Sequence, residues 1–440
     1  MMRRRLLSSE LQVEAEVPEI PADIAATIVD PASYTNDDII YPALKWVREN
    51  MPVGVARVPG YDPIWLVTKH ADIMEVERNA NLYHNADSNP ILNKQVDDAF
   101  LRSINNGSLR VLSSLTFMDP PEHGRIRDIT SNWFLPANIR KLEEQIRGVA
   151  KQSVERFLSF DGACDFVSDF ALYYPLRVIM TMFGVPQEDE PRMLKLTQEF
   201  FGVHDEEEQR DTVKLEPDAA ARMWKASIED MFNYFNVLSE ERRKNPTDDL
   251  LSHIANTKLD GEYLGEAEQN GYYVAIATAG HDTTSSSTAG GMLGLLKFPE
   301  ERSKLQENPT LVAGLVDEAI RWTSPVKHFM RNATADTILR GQTIKAWDRL
   351  MLCYPSGNRD EDVFTAPDEF RVERKPNRHV AFGYGPHMCL GQHLAKLEMR
   401  ILFEELLPHI ASIELAGEPR YMKTNFVGGL KSMPVKFTKK

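Results

Sequence analysis

The stretch Phe382-Gly383-Tyr384-Gly385-Pro386-His387-Met388-Cys389-Leu390-Gly391 is a glycine-rich loop that delivers a cysteine to the start of an apolar-periodic segment, Leu390 to Leu407, closed by Pro408. That segment reads as a helix. A cysteine at a helix start is suited to bind as a thiolate, because free loop amides and the positive end of the helix stabilise charge on sulfur. The glycines at 383, 385 and 391 let the backbone approach a flat ligand, since no Cβ intervenes. Phe382 can cover the sulfur and keep water away. Taken alone, Gly-x-x-x-Cys would be an ordinary turn beside a buried cysteine. The phenylalanine, the spaced glycines, His387 and Gly391 in register point instead to a metal-bound sulfur.

The other two cysteines differ. Cys164, between Gly162 and Phe166, and Cys353, closing the strand-like run RLMLCY, read as small buried hydrophobes. Three scattered cysteines cannot make a disulfide framework for 440 residues.

A second informative segment lies in the longest helix candidate, Glu266 to Lys297, which meets no proline until Pro299. At about 1.5 Å per residue it would be on the order of 45 Å long. Mid-helix stands Ala279-Gly280-His281-Asp282-Thr283-Thr284. Threonines in helices often bond back to a carbonyl one turn earlier, and glycine weakens a helix. A small pair followed by an acid and an alcohol also suits a kink that opens a groove, with a carboxylate to relay protons.

The cysteine loop resembles the ligand signature of the cytochrome P450 family, Phe-x-x-Gly-x-[Arg/His]-x-Cys-x-Gly, and the mid-helix run resembles that family's oxygen-activating helix. The resemblance implies haem b held between the long helix and the cysteine-loop helix, with Cys389 on the iron and Phe382 and Gly391 beside it. It makes Asp282 the proton relay and Thr283 the hydroxyl that positions dioxygen; Thr284 is a bystander and His281 structural or salt-bridging. Two propionates need polar donors, and the resemblance supplies His123, Arg127, Arg331 and His387. His123 and Arg127, four apart, share a helix face. Glu318 and Arg321, with Asn358-Arg359-Asp360, are similar to the family's structural ion network rather than to catalytic groups.

The expected fold is mainly α, a single cytochrome P450 domain over residues 37–440 after an extension at 1–36, with a large helical part and a small β-rich part. The pattern predicts a hairpin over Val53 to His70, a short helix over Ala71 to Asn79, helices from Pro121 to about Lys244, a helix over Leu311 to Trp322, a small sheet before Tyr354 and a last hairpin at Gly428-Gly429. The span from Tyr83 to Leu115, poor in periodicity, reads as a mobile loop region and a substrate entrance.

Beyond the general family, Tyr41 to Trp46, Ala275 to Thr284 and His387 to Met399 look like the bacterial terpineol-hydroxylating subfamily. That resemblance implies a monoterpenoid such as a terpineol, or an aromatic hydrocarbon of similar size. By analogy the pocket is lined by Ala275, Thr278, Ala279, Val326, Phe329, Phe426 and Val427.

A formal charge of −14 opposes nucleic-acid binding. The start MMRRRLLSSE has too short an apolar run for a signal peptide or membrane anchor, so the expectation is a cytoplasmic protein. No strand-Gly-x-Gly-x-x-Gly-helix unit is present, so electrons come from another protein, by resemblance an iron-sulfur ferredoxin with its reductase. Its docking patch would include Lys141, Lys396 and Arg400, and Gly124 stands where some relatives carry a basic residue. Two rivals remain: a peroxygenase, which needs neither the acid nor the alcohol, and a non-catalytic haem sensor.

Overall fold

The helix Asp282–Lys297 begins as a run of Ser, Thr, Ala and Gly, and these small residues let it press onto the helix Val312–Thr323. A Cβ at Gly290 would collide with the Thr323 hydroxyl, and one at Gly291 would stand 2.8 Å from the Ala319 methyl. The structure, a computed structural model, describes residues 17–86, 88–210 and 216–440. Around the close-packed pair gather Glu143–Ser159, Tyr173–Phe183, Ala219–Lys244, Glu266–Ala279 and Gln392–Leu406. Their apolar faces share one core that includes Phe157, Phe183, Phe235, Tyr273 and Leu402. Among the described residues no helix is long and apolar enough to cross a membrane.

The long helix expected from Glu266 to Lys297 is two. Glu266–Ala279 closes with Gly280 N to Ile276 O (3.1 Å), and the next ladder opens with Ser285 N to His281 O (2.9 Å). Gly280 sits against the helix Tyr173–Phe183, where a Cβ would lie 2.8 Å from Ile179 Cγ1.

The β part is a five-stranded sheet in the order Val53–Ala56, Ile64–Val67, Arg349–Cys353, His328–Ala333, Tyr83–His84. The first hairpin matches the sequence pattern. Its partner strand comes from almost 300 residues later and pairs in parallel, Arg349 opposite Ile64. A second sheet joins Ile410–Leu415, Pro434–Lys439 and Ala163–Asp165.

Three expectations are corrected. Residues 18–36 are no separate extension: Ile20 N bonds Val55 O, Val55 N bonds Pro18 O, and Ala25, Ile28 and Val29 are buried in the core of the sheet end. The span 83–115 is not loop throughout, since it contains the helix Gln95–Ile104. That helix buries acids as well as Leu101: Asp98 lies 3.6 Å from Arg349, and Asp97 accepts from Ala221 N. Cys353 is buried as expected, whereas Cys164 is only half-buried in its strand. Burial pushes both thiols up to about 12. The segment Met1 to Glu10 lies outside the described residues, as does part of the charged stretch between 204 and 217.

Candidate functional site

The cysteine loop is shaped by its glycines. Gly383 and Gly385 take φ of 69° and 67°, the left-handed region that side chains resist. A Cβ at Gly385 would also stand 2.5 Å from the Glu77 carbonyl. Gly391 faces open space, so it alone of the three leaves room for a ligand. Cys389 N donates to Phe382 O at 2.8 Å, pinning the loop across its width. Burial raises the Cys389 thiol above its ordinary value, while the N–H groups of Gly391 and Gln392 and the charge on Arg127 act against that. The amides thus favour thiolate as the sequence suggested; a bound cation would complete the deprotonation.

Opposite the loop stands the break between the two helices. Cys389 and Thr283 line the same cavity, which encloses about 1510 Å³ of space free of atoms, its mouth included. Thr283 Oγ1 donates to Ala279 O at 2.9 Å, answering a carbonyl at the end of the first helix. Asp282 points elsewhere. It is buried behind the helix in a small pocket with Ser285, Ser286 and Gly429; one oxygen lies 3.5 Å from His281 Nδ1 and the other has no partner. His281 is fully buried between Asp282 and Thr197, the structural place expected of it. Thr284, expected as a bystander, does line the cavity, beside the buried carboxyl of Glu398.

Along one edge of the cavity, the rings of His123 and His387 lie 4.1 Å apart, and the Nε2 of each is buried with no partner. Burial, with the charges of Arg127 and Arg331, pushes His123 down to about 4. His387 falls to about 2 through burial, Arg331, His123 and Arg127. Both are therefore neutral near pH 7. Arg331 is buried and donates to Met330 O; Arg127 donates to Met388 O at 2.7 Å. Four residues expected at widely separated positions thus converge as donors.

A flat metal complex with two carboxylates fits this arrangement. Among the described residues no group of three or more His, Cys, Asp or Glu side chains could hold a metal. A metal on Cys389 must bring its other ligands with it, as a porphyrin does. The orphaned Nε2 atoms and the two guanidiniums supply what propionates need.

Of the expected substrate residues, Ala275, Ala279, Val326 and Phe329 line the cavity. Three do not. Thr278 is buried and donates to Val274 O; Phe426 packs behind Phe329, with ring centroids 5.5 Å apart; Val427 bridges Val326 from outside. Sequence reasoning missed Glu77, Asn85, Tyr272, Tyr354 and Glu398, which stand on the cavity wall. Glu398 lies within the stretch His387 to Met399 but carried no signal of its own there; the others belong to no local motif, and only the tertiary fold gathers them.

Of the expected ion network, Glu318, Arg321 and Asn358 come together beneath the loop, whereas Asp360 pairs with Lys69 and Arg359 donates to Trp322 O. Arg321 and Glu318 are both fully buried and joined by two bonds of 2.8 Å; Arg321 also donates to Asn358 O and Pro367 O. Asn358 in turn accepts from Val380 N at 2.7 Å, just ahead of the cysteine loop.

A sequence profile of the family described as Cytochrome P450 matches residues 80–411. The chain is 56% identical to Cytochrome P450-terp of a Pseudomonas species, covering 96% of this chain and 98% of that protein. It is 31% identical to a Steroid C26-monooxygenase of Mycolicibacterium smegmatis, covering 96% and 95%. The crystal structure of CYP108D1 from Novosphingobium aromaticivorans superposes with a TM-score of 0.88 at 38% identity, covering 96% of this chain and all of that one. CYP268A2 of Mycobacterium marinum, solved in complex with pseudoionone, gives 0.85 at 29%, covering 96% and 100%. With a lone cysteine facing a broken helix across a donor-edged cavity, the chain belongs to the cytochrome P450 family, as a monooxygenase whose cofactor is thiolate-ligated haem b.

Proposed function

We propose that this monooxygenase hydroxylates a monoterpenoid alcohol such as a terpineol, or an aromatic hydrocarbon of similar size, with electrons from an iron-sulfur ferredoxin and its reductase. The observation that carries the reading is the wall above Cys389: Ala275 and Ala279 leave room for a ring, and Val326, Phe329 and Ile179 give it apolar contact. The resemblance to the terpineol-hydroxylating subfamily and the 56% identity to Cytochrome P450-terp support the same substrate class.

Thiolate-ligated haem, when bound, supplies the reductive activation of dioxygen from which one oxygen atom enters the substrate. The residues of the chain position and protonate. His123, Arg127, Arg331 and His387 hold the propionates, and Phe382 shields the sulfur. Thr283 orients dioxygen and the last proton donor. Asp282 relays protons from behind the helix, since its carboxyl opens on the side of Gly429 rather than on the cavity. This acid and alcohol favour dioxygen chemistry over a peroxygenase, which has no use for a relay.

For electron delivery, Lys396 and Arg400 border a groove at the start of the helix Gln392–Leu406, together with Arg140 and His393. Their charge is largely met: Lys396 lies 2.8 Å from Asp317, and Arg400 pairs with Glu143 and Glu404. Lys141 is exposed and bonds Asn138. A ferredoxin would therefore dock here with only a shallow salt dependence.

The test is a spectral titration of the ferric protein with terpineols and single-ring aromatics, followed by product analysis with ferredoxin, reductase and oxygen. The expected result is a low-to-high spin shift and one hydroxylated product. A spin shift with neither class, or turnover only with hydrogen peroxide, would contradict the proposal.

A further inference from the structure

Glu77, near the end of the helix His70–Arg78, reaches the cavity wall beside Arg331. Its side chain is 1% exposed. Oε1 accepts from the Tyr354 hydroxyl at 2.6 Å and lies 3.4 Å from Arg331 Nη2, while Oε2 is buried with no partner. The polar groups that face it are Arg331 from the strand His328–Ala333, Tyr354 from the turn Tyr354–Gly357 and the Tyr384 main chain from the cysteine loop. His123, His387 and Arg127 border the same cavity. Burial pushes the carboxyl up to about 7, although Arg331, Tyr354 and Tyr384 all act to lower it.

A propionate received by Arg331 would bring a second carboxylate to one guanidinium. Two carboxylates that share one cation in a buried site do not both stay ionised. We infer that Glu77 is a cofactor-holding residue, donating a hydrogen bond as the neutral acid from Oε2 to the haem propionate that Arg331 receives. The inference rests on the propionate placement proposed above.

Haem and proton then bind Glu77's site together. The propionate raises the carboxyl's proton affinity, so haem affinity is full below about pH 7 and falls as pH rises. The fall is up to about tenfold per pH unit until the carboxyl of the complex has itself titrated.

The experiment follows haem transfer from the holoprotein to an excess of an apo-globin across neutral to alkaline pH. The native protein is expected to lose haem faster as pH rises above neutrality. Glu77→Gln, which keeps a permanent donor, should flatten that profile and remove one protonated-carboxyl band from the infrared spectrum. Tyr354→Phe, which removes the donor to Oε1, should move the rise to higher pH. A Glu77→Gln profile matching the native one, or no shift in Tyr354→Phe, overturns the role of Glu77. Arg331→Leu should speed haem loss at every pH; if it does not, the propionate placement itself fails and the role falls with it.

Discussion

The cysteine loop and the broken helix that faces it across the cavity are held by different means. The loop is fixed from outside by a charge network around the fully buried Glu318 and Arg321: Glu318 accepts from Arg321, Arg374 and Asn377, and Asn358 ties that network to Val380. The helix break is fixed from within by close packing and one hydroxyl, with Gly280 against Ile179 and Thr283 on the Ala279 carbonyl. A ligand-presenting loop must not move, and beneath it both Glu318 oxygens and the Arg321 guanidinium are partnered, while Asn377 Oδ1 and His379 Nδ1 are not. At the helix break, the proposed oxygen-activating side, Asp282 leaves one oxygen unpartnered. Charge pairing holds one side of the cavity and close packing the other.

Breaking the network should have the largest effect. Glu318→Ala leaves Arg321 buried and unpaired, and should cost roughly 3–5 kcal/mol, read as a large fall in denaturation midpoint with haem loss. A stability close to native would show that the network does not hold the loop. On the other side, Thr283→Ala should leave folding and haem content intact. Product per electron pair should fall on the order of tenfold, short of the roughly 10²–10⁴ that a complete general acid contributes, because Asp282 remains. Full coupling in that variant would remove Thr283 from the chemistry. Gly385→Ala, at positive φ and against the Glu77 carbonyl, should cost about 1–3 kcal/mol by thermal melting. The smallest effect sharpens the comparison within one helix. Thr278→Val should cost about 0.5–1.5 kcal/mol for a lost hydrogen bond and leave substrate titration unchanged. Ala279→Val, one residue on, should weaken substrate binding without loss of stability. Equal effects on binding would mean that the cavity wall is misplaced.

The two sides also differed in how far the sequence disclosed them. Phe382 to Gly391 is a continuous stretch whose glycines and cysteine act on their immediate neighbours, so its geometry was legible. Glu318 and Arg321 were legible for the same reason, one turn apart on one helix. The proposed propionate donors became legible only through family resemblance, since tertiary folding brings His123 and Arg331 to one cavity. Thr278, Phe426 and Val427 were assigned to the pocket by analogy, yet side-chain direction around a helix turn or hairpin decides what faces a cavity. The helix Gln95–Ile104 was hidden because it buries Asp97 and Asp98 against partners at Ala221 and Arg349, reversing the usual polar-out pattern. Glu77 gave no local signal: its burial depends on Tyr354 and Arg331, more than 250 positions away.

The central claim is that Cys389 ligates haem iron as a thiolate, and the carbon-monoxide difference spectrum of the reduced protein tests it most directly. The native protein should show the Soret band displaced to long wavelength, and Cys389→Ser should lose it. An undisplaced band in the native protein, or an unchanged band in the variant, would contradict the account.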